Sequence, residues 1–160
     1  MRSPKQLTVQ IFIFIQALFA MLGSLYYSNF GDPVKNIAQG FLFHGEGGLE
    51  PCHLCWWARI LMYPLVFISA MGLIKKDNRF TDYILPLAIP GFILEVYHYL
   101  TQKVFTQSFF ECGTVNPCSA TQAVDYFGFI TIPFLCFTAF GVIIILSGIN
   151  TVIEAKQSKA

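Results

Sequence analysis

Residues 51–76 read PCHLCWWARILMYPLVFISAMGLIKK. Two cysteines spaced Cys-x-x-Cys open the stretch, an apolar run follows, and Lys75 and Lys76 close it. Between Cys55 and Ile74 the only charge is Arg59. A helix rises 1.5 Å per residue, so roughly 20 such residues cross the ~30 Å hydrocarbon core of a bilayer. The segment therefore predicts a membrane-spanning helix with a dithiol at its first turn.

Three further runs of this kind lie around it. The four spans are predicted at about residues 7–28, 55–74, 83–100 and 126–149. The first and fourth carry no charge, and the third holds Glu95 and His98 near its end. Such runs are too long and too evenly apolar for barrel strands, and only helices or closed barrels satisfy their backbone groups in lipid. Pro64, Pro86, Pro90 and Pro133 fall inside the runs, which membrane helices tolerate. Composition agrees: 12% of the residues are charged, about half the share of a soluble domain. The 17 Phe, 7 Tyr and 2 Trp suit lipid-facing and interfacial surfaces. The expectation is an all-α membrane protein, a four-transmembrane-helix bundle forming one integral domain over residues 1–160. The first run is longer than a signal-peptide core and lacks a small-x-small cleavage site, so it reads as a retained span. A net charge of +1 offers no basic field for nucleic acid, and no Gly-rich phosphate loop is present.

Lys and Arg set the orientation. Arg2, Lys5, Lys75, Lys76, Arg79, Lys156 and Lys159 fall on the termini and the middle loop, whereas only Lys35 and Lys103 fall on the other two loops. Both termini are thus expected in the cytoplasm, with loops 29–54 and 101–125 facing outward. In the first outer loop, Val34–Phe43 has apolar residues at roughly helical spacing and reads either as a short amphipathic surface helix or as an irregular loop.

Four of the five cysteines then face outward, where disulfides persist. Cys52 and Cys55 sit where the second span begins. A helix N-terminus stabilises a thiolate, and Cys55, nearer the first turn, is expected to gain most. Arg59 lies one turn deeper on the same face. An ionised Arg near the bilayer centre costs on the order of 2.5–3.5 kcal/mol, which favours a functional role over a side chain that snorkels to the headgroups. Cys112 and Cys118 enclose a short loop in which Gly113 and Pro117 permit a tight turn, so their sulfurs can meet, either as an exchange partner for a soluble protein or as a structural staple. Cys136 reads as a buried, apolar-like residue with no partner at its depth.

The stretch PCHLCWWARILMYPL resembles the Pro-Cys-x-x-Cys-x-x-x-Arg opening of the second helix in the DsbB family of disulfide-forming quinone reductases, in particular its short BdbC-type branch. Residues 125–133, DYFGFITIP, resemble that family's entry into its fourth helix. The resemblance spans all four runs and both outer loops. It implies a thiol:quinone oxidoreductase in the bacterial plasma (inner) membrane, embedded in lipid, with menaquinone or ubiquinone as acceptor. It implies that Cys52 and Cys55 are the quinone-proximal redox pair, with Cys55 the sulfur facing the quinone. Arg59, and less directly His98, match quinone-binding positions. Cys112 and Cys118 match the pair that exchanges with a soluble thioredoxin-fold thiol oxidase on the outer side, with Cys112 the sulfur attacked. Trp56 and Trp57 are expected either against the quinone or in the interfacial belt. Glu95 is expected to relay protons or to pair with Arg59. Two departures stand out. Only five residues separate Cys112 from Cys118, which favours a short relay over a large loop rearrangement. Ala58 occupies the position before Arg59, where Glu or Gln is common in the family.

Two rival readings come from the same residues. Cys52, Cys55, Cys112 and Cys118, with His53, could form a zinc cluster. Alternatively the chain is a non-enzymatic membrane scaffold with two structural disulfides.

Overall fold

The structure, a computed structural model, describes residues 3–38, 50–104 and 125–158. It contains α1 (Pro4–Phe30), α2 (Pro33–Ala38), α3 (His53–Lys75), α4 (Thr81–Lys103) and α5 (Ile132–Ser158). All but α2 are long and apolar enough to cross a membrane. Among the described residues there is no β-sheet, only an isolated bridge between Tyr126 and Ile130.

Each long helix packs mainly on two neighbours, and α3 and α5 also meet at a few positions. α1 contacts α3 and α5, α4 contacts the same two, and α1 and α4 face each other across the diagonal without touching. Sequence-adjacent long helices run antiparallel, so the N-terminal end of α3 and the C-terminal end of α4 meet at one end of the bundle, called here the cysteine end. The buried residues recur every three or four positions: Leu54, Ala58, Met62, Leu65, Ser69 and Gly72 on α3, and Ile84, Ala88, Gly91, Glu95, His98 and Thr101 on α4. That spacing keeps one stripe of each helix turned inward. The central layer is formed by Ile13, Ala17, Leu65, Ile84, Ala88, Phe140 and Ile143. Small residues permit close approach there. A Cβ on Gly91 would lie 2.4 Å from the Phe140 ring, and one on Gly72 would lie 2.5 Å from Phe80. The outer surface is apolar as well, with Phe19, Phe67 and Ile74 each about 70% exposed, as lipid contact requires.

The helix ends differ from the apolar runs. Ser3 caps α1, its Oγ accepting from Gln6 N, with Pro4 at the first position, so α1 starts ahead of residue 7. α4 extends beyond residues 83–100 at both ends because Thr81, Asp82, Gln102 and Lys103 continue the helix without adding hydropathy. α5 shifts at both ends, read as residues 126–149 and observed from Ile132 to Ser158. Phe127 and Gly128 have positive φ, 57° and 78°, which a helix cannot accept. Pro133 consequently lies in the first turn, where its missing N–H costs nothing. Within 29–54, the described helix is α2, capped by Asp32 Oδ1 accepting from Val34 N at 2.9 Å.

Candidate active site

Pro51 precedes Cys52, whose extended backbone makes it the N-cap of α3. Its Sγ accepts from Cys55 N at 3.4 Å. The sulfur that takes the free N–H of the helix terminus is therefore that of Cys52, where the sequence favoured Cys55. Both are free thiols with Sγ atoms 3.0 Å apart, near enough to join with a small side-chain movement. Leu54 and Tyr97 pack around the pair and keep it largely dry.

His98 reaches the same sulfur from α4. Its Nε2 stands 3.5 Å from Cys52 Sγ, and its Nδ1 stands 3.6 Å from Glu95 Oε2. The latter is an ion-pair distance, slightly long for a hydrogen bond, so Nδ1 has no hydrogen-bond partner. Glu95 and His98 are both fully buried on one face of α4. Cys52, outside the span, is held well below the ordinary thiol range, first by the hydrogen bond from Cys55 and then by His98, which together outweigh the opposing effect of burial.

Arg59 points toward α1. Its Nε donates to Ser24 Oγ at 3.0 Å, and its Nη2 donates to Ser24 O at 3.3 Å and to Ser28 Oγ. Trp56 lies 5.5 Å beneath the guanidinium carbon. Among the described residues no carboxylate forms an ion pair with Arg59, and Glu95 pairs with His98 instead.

A cavity of about 270 Å³ lies between α1, α3 and α5, with Glu95 of α4 at its inner wall. Cys55, Arg59 and Glu95 line it, together with Ser24, Tyr63 and Cys136. The remaining walls are mostly apolar, and Phe19 and Leu135 at its edge are exposed on the outside of the bundle. Cys52 and His98 do not line the cavity; they stand behind Cys55. Neither Trp56 nor Trp57 lines it. Both are about half exposed, and Trp57 meets His53 edge-on.

Of the residues singled out in the sequence, Cys52, Cys55, Arg59 and His98 thus gather at one end of the bundle, while Cys112 and Cys118 lie outside the described residues. Three contributors escaped the sequence reading. Ser24 and Ser28 hold Arg59, and their spacing of four within an uncharged run was the available signal. Cys136 was set aside as partnerless, yet it faces the same cavity as Cys55. Nothing in a lone cysteine inside an apolar run signals that.

Cys52 Sγ, Cys55 Sγ and a ring nitrogen of His98 lie within 4.8 Å of one another, close enough to share a metal ion. Thiolates sharing a zinc at ~2.3 Å would stand roughly 3.7 Å apart. The observed 3.0 Å instead suits a pair that bonds to itself.

Four membrane-length helices with a capped pair of free thiols beside a cavity at the bundle's edge define a multi-pass membrane protein with a dithiol site. The family model "Disulfide bond formation protein DsbB" matches residues 36–150, and the chain belongs to that family. It is 45% identical over 132 residues to disulfide bond formation protein C of Bacillus subtilis (strain 168), covering 82% of this chain and 83% of that protein. It is 40% identical over 147 residues to probable disulfide formation protein C of Halalkalibacterium halodurans, covering 91% and 94%. It is 33% identical over 150 residues to the SPbeta prophage-derived disulfide bond formation protein B of B. subtilis, covering 93% and 88%. No solved structure matches the chain.

Proposed function

We propose that the chain is a thiol:quinone oxidoreductase of the bacterial plasma membrane. It reoxidises a soluble thioredoxin-fold thiol oxidase on the outer side. Electrons enter at Cys112–Cys118, pass by thiol–disulfide exchange to Cys52–Cys55, and leave through Cys55. The observation that carries this reading is that Cys55 and Arg59, one helical turn apart, open onto the same cavity while Cys52 waits behind Cys55.

The cavity suits a quinone head group. Its volume admits one ring system, and its apolar walls carry few polar groups, the usual make-up of a small-molecule site. A polyprenyl tail could leave past Phe19 and Leu135 toward lipid. Arg59, Ser24, Tyr63 and Glu95 would hold the ring oxygens. A bound quinone supplies a two-electron, two-proton acceptor. Arg59 contributes a fixed positive charge that favours negative charge developing on an oxygen. Cys52, already biased toward the thiolate, is poised to close the disulfide onto Cys55 once that sulfur gives up its electrons. Orientation follows the lysine and arginine distribution, which sets the cysteine end outward.

The test is thiol-dependent quinone reduction by the full-length protein in lipid nanodiscs, with menaquinone and ubiquinone analogues compared. Cys55→Ser is expected to abolish turnover. Wild-type rates in that variant would contradict the assignment. Stoichiometric zinc in the purified protein would favour a metal site instead.

A further inference from the structure

Glu95 caps no helix and forms no ion pair with Arg59, yet it is buried at the inner wall of the cavity. Its two oxygens differ. Oε2 faces His98 Nδ1 at 3.6 Å, whereas Oε1 is buried without a hydrogen-bond partner. A buried carboxyl oxygen without a partner is costly, more so if charged, unless a ligand or water completes it. On the other side of His98, Nε2 stands 3.5 Å from Cys52 Sγ. A continuous line of exchangeable groups thus runs from the sulfur that the cavity does not reach, through an imidazole and a carboxyl, into the cavity.

We infer that Glu95 is the acid that delivers the Cys52 proton to the quinone, with His98 as the link between them. The inference rests on the quinone-reducing reading above. The balance is as follows. The reduced pair carries two protons, one on Cys55 and one shared between Cys52 and His98 Nε2, and disulfide formation releases two electrons and both protons. The Cys55 proton goes directly to one ring oxygen, from a sulfur that itself lines the cavity. The Cys52 proton passes to His98 Nε2. His98 gives the proton on Nδ1 to Glu95 Oε2, and Glu95 gives a proton from Oε1 to a ring oxygen. The sulfurs become a disulfide, and two electrons and both protons have gone to the acceptor; His98 and Glu95 keep their charges, but their protons now sit on Nε2 and Oε2 and shift back before the next turnover. Within one turnover the carboxyl need not turn, because Oε2 is already at the His98 donor and Oε1 has no hydrogen-bond partner of its own. The 3.6 Å gap is of the kind that closes when a site fills. The other titratable groups around the cavity are Cys55 and Arg59 from α3, with Tyr63 beyond them, Cys136 from α5 and Tyr27 from α1. Of these only Cys55 also stands between Cys52 and the cavity, and it has its own proton to deliver.

The test compares wild type, Glu95→Gln and Glu95→Asp as full-length proteins in lipid nanodiscs. First, infrared difference spectra are taken while the reduced protein is oxidised by a water-soluble disulfide with no quinone added. Wild type is expected to show a change in a carboxyl or carboxylate stretching band, lost in E95Q and moved in E95D, because the altered charge on Cys52 reaches Glu95 through His98. Second, quinone reduction is followed at steady state. E95Q is expected to lower kcat by about 10- to 100-fold, with KM within twofold and a larger solvent deuterium isotope effect, the scale of a lost general acid. A purely structural role would move KM and stability and leave the isotope effect alone. If E95Q does not fold, E95D decides, through its shifted band and lowered kcat. A kcat within twofold of wild type, or no carboxyl band in wild type, overturns the relay. Wild type that reduces no quinone overturns the acceptor reading and the relay with it, whereas an active wild type with an indifferent E95Q defeats the relay alone.

Discussion

Replacing Arg59 by Met separates what this side chain does for the fold from what it does for the acceptor. The guanidinium donates three hydrogen bonds, to Ser24 Oγ, Ser24 O and Ser28 Oγ, all on α1. Met keeps the length and apolar stem but loses the charge and the donors. A hydrogen bond to a charged group is worth about 1.5–3 kcal/mol. If one such bond reaches a ring oxygen in the cavity, its loss corresponds to roughly a 10- to 150-fold rise in the apparent KM for quinone, at 1.4 kcal/mol per tenfold. Stability responds differently. Ser24 and Ser28 lose their partner, yet removal of a charge from the membrane interior returns on the order of 2.5–3.5 kcal/mol on insertion scales. Three such bonds outweigh that return, so the thermal midpoint in nanodiscs is expected to fall by several degrees while the protein stays folded. Arg59→Lys keeps the charge without the forked donors and should give an intermediate KM. The assay is steady-state quinone reduction over a wide quinone range beside a thermal unfolding scan. A KM within twofold of wild type in R59M, with the protein folded, would refute the reasoning that the guanidinium serves the cavity.

Other outcomes are expected from the same geometry. Gly91→Ala places a Cβ 2.4 Å from the Phe140 ring and should destabilise the bundle by about 1–3 kcal/mol, despite the better helix propensity of Ala; a thermal scan checks it. His98→Ala removes one of the contacts that hold the Cys52 thiol low. The midpoint of Cys52 alkylation by iodoacetamide in the Cys55→Ser background should therefore lie at higher pH in H98A than with His98 present, so that less thiolate reacts at pH 6. Gln10 is fully buried near the start of α1, and neither amide atom has a partner; Gln10→Leu removes that unmet demand and should raise stability by about 1–3 kcal/mol, measured by the same scan.

The sequence by itself determined the number and approximate place of the spans, because a bilayer selects each segment by its own length and hydropathy, before any helix meets another. It also placed a dithiol at the start of α3 and Arg59 one turn on, since capping and the four-residue turn are local. It misplaced the start of α5, where Phe127 and Gly128 hold positive φ inside an otherwise apolar stretch. Which side of each helix faces inward was another matter. In water an amphipathic stripe would mark it, but in lipid both faces are apolar, so the sequence leaves the inward face largely unmarked. Only packing revealed that Ser24 and Ser28 hold Arg59, that Cys136 shares a cavity with Cys55, and that Glu95 turns to His98 rather than to Arg59. These are contacts between helices far apart in the chain, and their geometry comes from how small residues such as Ala88, Gly91 and Ala139 let the helices approach.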